Sequence, residues 1–311
     1  MVFPGQGSQH TGMLFDFSKN HSEILETFKL ASEILGYDLW RFSQEEPPEK
    51  LSQTEFTQPL MLTAGVSLLK LWLNLGGKFP ALVAGHSLGE YTALVASQAI
   101  SFEEALPLVR DRGRFMQEAV KQGDGAMAAI IGMDDKKVVQ VCADLSCKTN
   151  QVLEAVNFNA PGQVVIAGHT ELVSKSVEVL KKGGARKAIL LPVSAPFHCA
   201  LMRSAEDKLI GRLNKVVFSS PVIPVVQARG EKPELDPGII RLNLEKQISK
   251  PIPWSEMVQQ LGKFGIERLC EVGPGNVLTG LVKRISPAIK CNSIGTVKGF
   301  IDSLNLLKTA N

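Results

Sequence analysis

Cysteine, aromatic residues and net charge are all scarce in this 311-residue chain. Its five cysteines are scattered and form no Cys-x-x-Cys pair, so neither a disulfide framework nor a zinc site is indicated. The 34 basic and 31 acidic residues leave a formal net charge of +3, too balanced for a dedicated nucleic-acid binder. No apolar run is long enough to cross a bilayer, and no secretory signal opens the sequence. We expect no metal, no nucleic acid, no membrane partner and a cytoplasmic location.

Hydrophobic residues make up 44% of the chain, which is enough to bury a sizeable core. At about 150 residues per domain, the length indicates about two domains, or one large domain with an insertion. Short apolar runs alternate with longer amphipathic segments, which is typical of an α/β protein. We predict helices over 22–36, 58–75 and 277–285, and strands over 81–84 and 267–272.

The middle of the chain has a different pattern. Strands are predicted over 126–132, 152–157, 163–167 and 187–193, with helices over 134–145 and 171–180. This βαββαβ order is that of a ferredoxin-like domain. Gly123-Asp124-Gly125 marks its start and Pro196 its end. We therefore predict a small domain over 124–195, inserted into a large α/β domain formed by 1–123 and 196–311.

The predicted strand 81–84 leads into Gly85-His86-Ser87-Leu88-Gly89 and then directly into a helix over 88–98. A Gly-x-Ser-x-Gly sequence between a strand and a helix is typical of the nucleophile elbow of α/β-hydrolase-like enzymes. The glycines allow the strand and the helix to approach, and the helix N-terminus favours negative charge near Ser87. In the simpler interpretation, Ser87 only caps the helix.

A serine nucleophile needs a base within hydrogen-bonding distance. Of the five histidines, His10 and His21 lie among polar residues, His169 is placed to cap a helix, and His86 is expected to pack beside the elbow. His198 follows the exit from the small domain, where a site between domains would form. The alternative is a histidine packed in the core. No acidic residue lies between His198 and Glu206, and earlier candidates such as Glu154 and Asp144 fall in the small domain, so a dyad oriented by an amide or a backbone carbonyl fits better than a triad.

Arg112 falls on the apolar face of a predicted helix over 101–120. The apolar stripe places Arg112 at its centre, whereas Arg110 and Arg114 fall on the opposite face. A buried guanidinium must be paired. Its partner is either an internal carboxylate or the carboxylate of a substrate, which Arg112 would bind with two parallel hydrogen bonds. Pro107 is expected to bend this helix.

Taken together, the motifs resemble those of malonyl-CoA:acyl carrier protein transacylases almost from end to end. The matching segments are Phe3-Pro4-Gly5-Gln6-Gly7-Ser8-Gln9, Thr57-Gln58-Pro59, Gly85-His86-Ser87-Leu88-Gly89-Glu90-Tyr91, Arg112-Gly113, Gly125-Ala126-Met127-Ala128-Ala129, Asn159 with Pro161-Gly162-Gln163, Phe197-His198, Gln247 and Glu271-Val272-Gly273-Pro274-Gly275.

The resemblance implies a two-step acyl transfer that supplies fatty acid synthesis without a cofactor. Ser87, deprotonated by His198, would take the malonyl group from malonyl-CoA and pass it to the phosphopantetheine thiol of acyl carrier protein. The resemblance also assigns the remaining site residues. These are the backbone N–H groups of Gln6 and Leu88 as the oxyanion hole, Arg112 for the malonyl carboxylate, the carbonyl of Gln247 to orient the histidine, and Gln58 and Phe197 in the pocket. Phe197 before the histidine is typical of malonyl-selective members.

Acyl carrier proteins are acidic, so a basic rim near the site would steer their binding. The candidate residues are Lys181, Lys182, Arg186 and Lys187 on the small domain, and Lys283 and Arg284 on the large one. The protein is expected to be a monomer. Two alternatives stay open: a serine thioesterase of the same fold, in which water takes the acyl group, and a docking subunit without catalysis.

Overall fold

The computed structural model describes residues 1–308, so the last three residues of the predicted large domain, 309–311, lie outside the described part. The strands are β1 (Val2–Phe3), β2 (Val83–Gly85), β3 (Gly125–Ile131), β4 (Leu153–Ala160), β5 (Gln163–His169), β6 (Lys187–Leu190), β7 (Val225–Val226), β8 (Arg268–Glu271) and β9 (Lys290–Ser293). The helices are α1 (Phe15–Ser18), α2 (Ser22–Leu35), α3 (Leu39–Glu45), α4 (Pro48–Leu51), α5 (Thr54–Asn74), α6 (Gly89–Ala96), α7 (Phe102–Glu118), α8 (Asp135–Thr149), α9 (Thr170–Lys182), α10 (Arg203–Leu213), α11 (Pro237–Gln247), α12 (Trp254–Lys263), α13 (Val277–Ile285) and α14 (Val297–Lys308).

A five-stranded parallel sheet in the order β7-β2-β1-β8-β9 forms the centre of the protein. Alternate residues of its strands enter different cores, as the period of two requires. Val2 and Ala84 pack into one core with α12 and α13, whereas Phe3 and Val83 pack into the larger core with α5 and α7. Both faces are thus covered by helices, and the predicted α/β class is confirmed.

A second, antiparallel sheet has the order β4-β5-β3-β6. Helices α8 and α9 cover one of its faces and enclose a separate core that includes Ile130, Val138, Leu145 and Ile166. The chain enters and leaves this sheet at one place, because a Cβ atom on Gly125 would lie 2.5 Å from the Pro196 ring.

Backbone hydrogen bonds also join the two sheets. The Phe158 N–H donates to the Ile252 carbonyl at 3.0 Å, and the Ile252 N–H donates to the Val156 carbonyl at 2.7 Å. Ile252 lies just before α12, which packs on the parallel sheet. The antiparallel sheet is therefore attached at β4 as well as at its entry and exit.

Two local predictions need correction. Helix α5 begins at Thr54 rather than at residue 58, and the Thr57 hydroxyl supports the added turn by donating to the Gln53 carbonyl at 3.0 Å. Strand β6 ends at Leu190 rather than at 193, because Pro192 has no N–H to continue the ladder. Helix α7 runs from Phe102 to Glu118 and includes Pro107, and the bend expected at the proline stays a prediction.

Within residues 1–308, no helix is long and apolar enough to cross a membrane, and no three His, Cys, Asp or Glu side chains are grouped so that they could hold a metal ion. All five cysteines are free thiols.

The bend between β2 and α6 has no room for side chains at its glycines. A Cβ atom on Gly85 would lie 1.9 Å from the Gly89 carbonyl carbon, and one on Gly89 would lie 2.0 Å from the Phe3 carbonyl oxygen. Backbone atoms cannot yield as a flexible side chain does. These two glycines therefore let β1, β2 and α6 approach one another.

Gly85→Ala is expected to lower the free energy of unfolding by at least about 2 kcal/mol, because overpacking against backbone displaces the strand or the helix. Gly211→Ala is the matched control: Gly211 lies within α10, and a Cβ atom there would meet no heavy atom within 4 Å. That change should stabilise the protein by about 0.5–1 kcal/mol. Urea unfolding followed by tryptophan fluorescence measures both, and equal effects of the two substitutions would contradict the steric argument.

Candidate active site

Ser87 lies in a strained conformation at the bend between β2 and α6. Its φ of 52° is in the left-handed region, which non-glycine residues rarely adopt. Strand β2 ends at Gly85 and α6 begins at Gly89, so the Ser87 side chain projects from the turn at the carboxyl edge of the parallel sheet. Ligands of open α/β sheets bind at that edge.

His198 reaches Ser87 from the loop that leaves the antiparallel sheet. The Ser87 hydroxyl lies 2.7 Å from His198 Nε2, and His198 Nδ1 lies 3.0 Å from the backbone carbonyl oxygen of Gln247, the last residue of α11. A carbonyl oxygen only accepts, so Nδ1 carries the proton and Nε2 accepts from the serine. The arrangement is a dyad whose histidine is oriented by a backbone carbonyl.

The other histidines take different positions. His86 turns away from Ser87, with Nε2 2.9 Å from Asn159 Oδ1 and its ring packed edge-on against Trp254. His169 precedes α9 but makes no side-chain cap, and its Nδ1 instead accepts from the Val152 N–H. The capping role expected for His169 is therefore wrong. His10 is exposed, as expected for a solvated side chain. His21 was also expected to be solvated, but it is only partly exposed.

Burial and the positive charge of Arg112 lower the pKa of His198 to about 3. Two effects combine here: removal from water disfavours the imidazolium, and the neighbouring cation repels it. The Gln247 carbonyl opposes both because it favours the protonated ring, but its effect is smaller. The neutral imidazole, which is the form that accepts a proton from serine, is therefore the stable one at physiological pH.

Arg112 is buried on the face of α7 that the helical periodicity indicated, with only 1% of the residue exposed. Its Nη1 donates to Gln58 Oε1 at 2.7 Å, and its Nη2 donates to Gln247 Oε1 at 2.9 Å and to Ser87 Oγ at 3.2 Å. The guanidinium also lies over the Tyr91 ring, 5.2 Å from its centroid. No ion pair found within residues 1–308 includes Arg112. The internal carboxylate partner considered from the sequence is thus absent from the described part of the chain.

The backbone N–H groups of Gln6 and Leu88 donate to no protein acceptor in the part of the chain that the structure describes. Gln6 lies in the loop after β1, and Leu88 follows Ser87 directly. Both residues line the same cavity as Ser87 and His198. Two unused donors beside a nucleophile are the arrangement that stabilises an oxyanion.

The cavity has a volume of about 300 Å³ and lies between the two sheets. Gln58 and Phe197 line it, as do Met116 from α7, Met127 from β3 and Leu191 after β6. The cavity is therefore polar where Arg112 and Gln58 line it, and most of the remaining lining is apolar. The shape and lining suit a small acyl group that carries a negative charge.

Sequence patterns did not single out Glu90 or the side chain of Gln247. The Glu90 carboxylate is fully buried in α6 and accepts hydrogen bonds from Gln227 Nε2, the Ala228 N–H and Gln247 Nε2 at 3.0 to 3.1 Å. Burial raises the pKa of Glu90, and these three bonds oppose that rise. The sequence signal that could have pointed to Glu90 is that it is the one charged residue of helix α6.

The basic residues proposed for a rim are all exposed. Lys181, Lys182, Arg186 and Lys187 lie at the end of α9 and the start of β6, which leads into the cavity wall at Leu191. Lys283 and Arg284 lie in the last turn of α13, and Arg284 donates to Gln163 on β5.

Comparison with known proteins gives a consistent result. The acyl transferase domain family matches residues 1–298. The malonyl CoA-acyl carrier protein transacylase of Salmonella typhimurium is 50% identical over 293 residues, 94% of each chain, and that of Escherichia coli K12 is 48% identical over 305 residues, 98% of each chain.

Solved structures also match this chain over almost its whole length. The malonyl CoA-acyl carrier protein transacylase of Coxiella burnetii is 42% identical, with a TM-score of 0.95 over 98% of this chain and 96% of that one. A malonyl-transacylase in complex with its type II PKS acyl-carrier protein is 44% identical, with a TM-score of 0.95 over 98% of each chain.

The low pKa of His198 predicts how Ser87 reactivity depends on pH. Labelling of Ser87 by a fluorophosphonate should change little between about pH 8 and about pH 5, because the base protonates only as the pH approaches about 3. An imidazole with an ordinary pKa of about 6.5 would lose about thirtyfold in rate at about pH 5.

His198→Ala is the control and should label slowly at every pH, while tryptophan fluorescence verifies that the protein stays folded in acid. A labelling rate that falls with a midpoint near about 6.5 would contradict this account of His198.

Proposed function

This chain belongs to the acyl transferase domain family, and we propose that it moves a malonyl group from malonyl-CoA to the phosphopantetheine thiol of acyl carrier protein through a malonyl-Ser87 intermediate. The observation that carries the proposal is the position of a buried, ion-pair-free Arg112 only 3.2 Å from the hydroxyl that His198 contacts. A transferase with this specificity would supply fatty acid synthesis.

In the first half-reaction, Ser87 Oγ attacks the thioester carbonyl as its proton moves to His198 Nε2. The carbonyl oxygen becomes an oxyanion, which the N–H groups of Gln6 and Leu88 are free to bind. The tetrahedral intermediate then expels the CoA thiolate, and the imidazolium returns its proton to the sulfur. Because the pKa of His198 is low, its protonated form is a strong acid and gives up the proton readily.

In the second half-reaction, the carrier thiol takes the place of CoA. His198 accepts the thiol proton, the sulfur attacks the malonyl-Ser87 carbonyl, and the same N–H groups hold the second oxyanion. Collapse breaks the bond to Ser87 Oγ, which recovers its proton from His198. The Gln247 carbonyl keeps the His198 ring in one orientation through both halves.

Arg112 selects an acyl group with its own carboxylate. Its Nη2 lies beside Ser87 Oγ, so the cation is within reach of the second carboxylate of a malonyl group attached there. Gln58 holds the other arm of the guanidinium. Phe197, which lines the cavity next to His198, would crowd a branched α-carbon, although one methyl group changes selectivity by only about 1–3 kcal/mol.

The exposed basic residues on α9, β6 and α13 are proposed as the rim that an acidic carrier protein approaches. The complex of a 44% identical transacylase with its carrier supports such a partner for this fold. The strand order β4-β5-β3-β6 supports a ferredoxin-like small domain over 124–195, and the elbow after a parallel strand supports an α/β-hydrolase-like large domain over 1–123 and 196–311. The monomeric state, the cytoplasmic location and a reaction without a cofactor stay predictions.

Transfer and hydrolysis use the same residues and differ in what accepts the acyl group. Incubation with labelled malonyl-CoA should add the mass of one malonyl group to the Ser87 peptide, and pantetheine-loaded carrier protein should then remove it and become labelled. Ser87→Ala should abolish both steps. Free malonate without labelled carrier would indicate a thioesterase, and unchanged activity of Ser87→Ala would indicate a docking subunit.

Arg112→Ala should reduce kcat/KM for malonyl transfer at least about tenfold more than for acetyl transfer, because a hydrogen bond to a charged group contributes about 1.5–3 kcal/mol. Only the malonyl substrate offers the carboxylate that Arg112 binds. Arg110→Ala, on the same helix but bonded to Asp111 instead, should affect neither substrate. Equal losses for the two acyl groups in Arg112→Ala would mean that the arginine is structural.

A further inference from the structure

Glu90 is a buried carboxylate that the acyl transfer does not use directly. None of the residue is exposed, and its two oxygens accept three hydrogen bonds, from Gln227, Ala228 and Gln247. All three partners are donors, so the carboxylate is suited to remain ionised. A buried anion with three aligned donors is costly to rearrange, which makes Glu90 a rigid anchor inside α6.

The Gln247 side chain bridges this anion and the Arg112 cation. Its Oε1 accepts from Arg112 Nη2 at 2.9 Å, and its Nε2 donates to Glu90 Oε2 at 3.0 Å. Rotating the amide by half a turn would place its NH₂ against the guanidinium and its oxygen against the carboxylate. The two charges therefore determine which way the amide faces.

The same amide controls the nucleophile and its base. Gln247 Nε2 also donates to the Ser87 backbone carbonyl at 3.0 Å, which supports the strained turn. The Gln247 backbone carbonyl accepts from His198 Nδ1. A shift of Gln247 would thus move Ser87, His198 and Arg112 together.

We propose that Glu90 is a positioning residue for acyl transfer. Through the Gln247 amide it keeps Ser87, His198 and Arg112 in fixed positions relative to one another, and its negative charge weakens the attraction of Arg112 for the substrate carboxylate. The effect of the Glu90 charge on binding of the substrate carboxylate rests on the proposed function. The positioning of Ser87, His198 and Arg112 does not. Burial lowers the pKa of the Arg112 guanidinium, and Tyr91 and Glu90 act in the opposite direction, with Glu90 the carboxylate of the two.

Glu90→Gln keeps the volume of the side chain but removes its charge and replaces one acceptor with a donor. Its NH₂ group would face either Gln227 Nε2 or the donors of Ala228 and Gln247, so at least one contact is lost. We expect the rate constant for Ser87 acylation to fall about 10- to 100-fold for malonyl-CoA and acetyl-CoA alike. The apparent Kd for malonyl-CoA should fall at least about threefold, because Arg112 then has no anion nearby, while that for acetyl-CoA stays unchanged.

Glu90→Asp separates the effect of the Glu90 charge from the effect of the position of its carboxylate. It also replaces Glu90→Gln as the test variant if that protein does not fold. Aspartate keeps the anion but is shorter by one methylene, so it withdraws from Gln247. Acylation should slow by about tenfold or more without any tightening of malonyl-CoA binding.

Glu271→Gln is the matched control. Glu271 is also a fully buried carboxylate with three donors, from Leu278 and Thr279 at the start of α13, but it does not line the cavity. Its substitution should lower thermal stability and leave the acylation rate of the folded protein unchanged.

Fluorophosphonate labelling of Ser87 separates failure of this inference from failure of the proposed function, since it needs no thioester. Slow labelling of both Glu90 variants supports positioning even if malonyl-CoA proves not to be the substrate. Wild-type labelling rates in both Glu90 variants, with only the loss of stability seen in Glu271→Gln, would overturn the positioning role. An unchanged or weaker malonyl-CoA affinity in Glu90→Gln would overturn the charge role.

Discussion

The site depends on one constraint, a guanidinium buried beside the nucleophile without an ion pair of its own. Leaving such a charge unpaired is costly, and in the described structure neutral oxygens of Gln58 and Gln247 and the Tyr91 ring offset part of that cost. The remaining attraction is available to a ligand. In the proposed function, selectivity for an anionic acyl group follows from the same arrangement that holds Arg112 without an ion pair.

The buried cation also determines the chemistry of the base. Burial and Arg112 together keep His198 in the neutral form that can accept a proton, and the Gln247 carbonyl orients the ring without adding negative charge. The partners of His198 Nδ1 and of the Arg112 guanidinium in Gln58 and Gln247 are thus uncharged, which leaves the cation available to a substrate carboxylate in its proposed role.

Local patterns predicted the α/β class, the turn at Ser87 and the inward face of Arg112, because each depends on residues adjacent in sequence or one helical turn apart. The contacts that assemble the site instead join residues that are far apart in the sequence. Ser87 and His198 are 111 residues apart, and Glu90 and Gln247 are 157 apart. No sequence period reports such pairs, so the partners of Glu90 were not foreseen. The two-residue strand β7 was also not predicted, since so short an element lacks a full period of hydrophobic pattern. Helices α10 to α12 were not predicted either, although each has 10 or 11 residues.

A transferase must release the acyl group that it binds, and this requirement gives a reason for the proposed effect of Glu90 on Arg112, to which the Gln247 amide joins it. Attraction that is equal in the bound acyl group and in the transition state tightens binding without accelerating transfer, and it slows release of the malonyl product. The Glu90 charge, acting through one amide, weakens that uniform attraction while leaving the hydrogen-bond geometry of Arg112 intact. The two free N–H groups of Gln6 and Leu88 act differently, because they reach full strength only when the carbonyl oxygen becomes an anion. In the proposed roles, specificity thus comes from Arg112 with its attraction reduced by Glu90, and rate comes from the neutral N–H donors of Gln6 and Leu88.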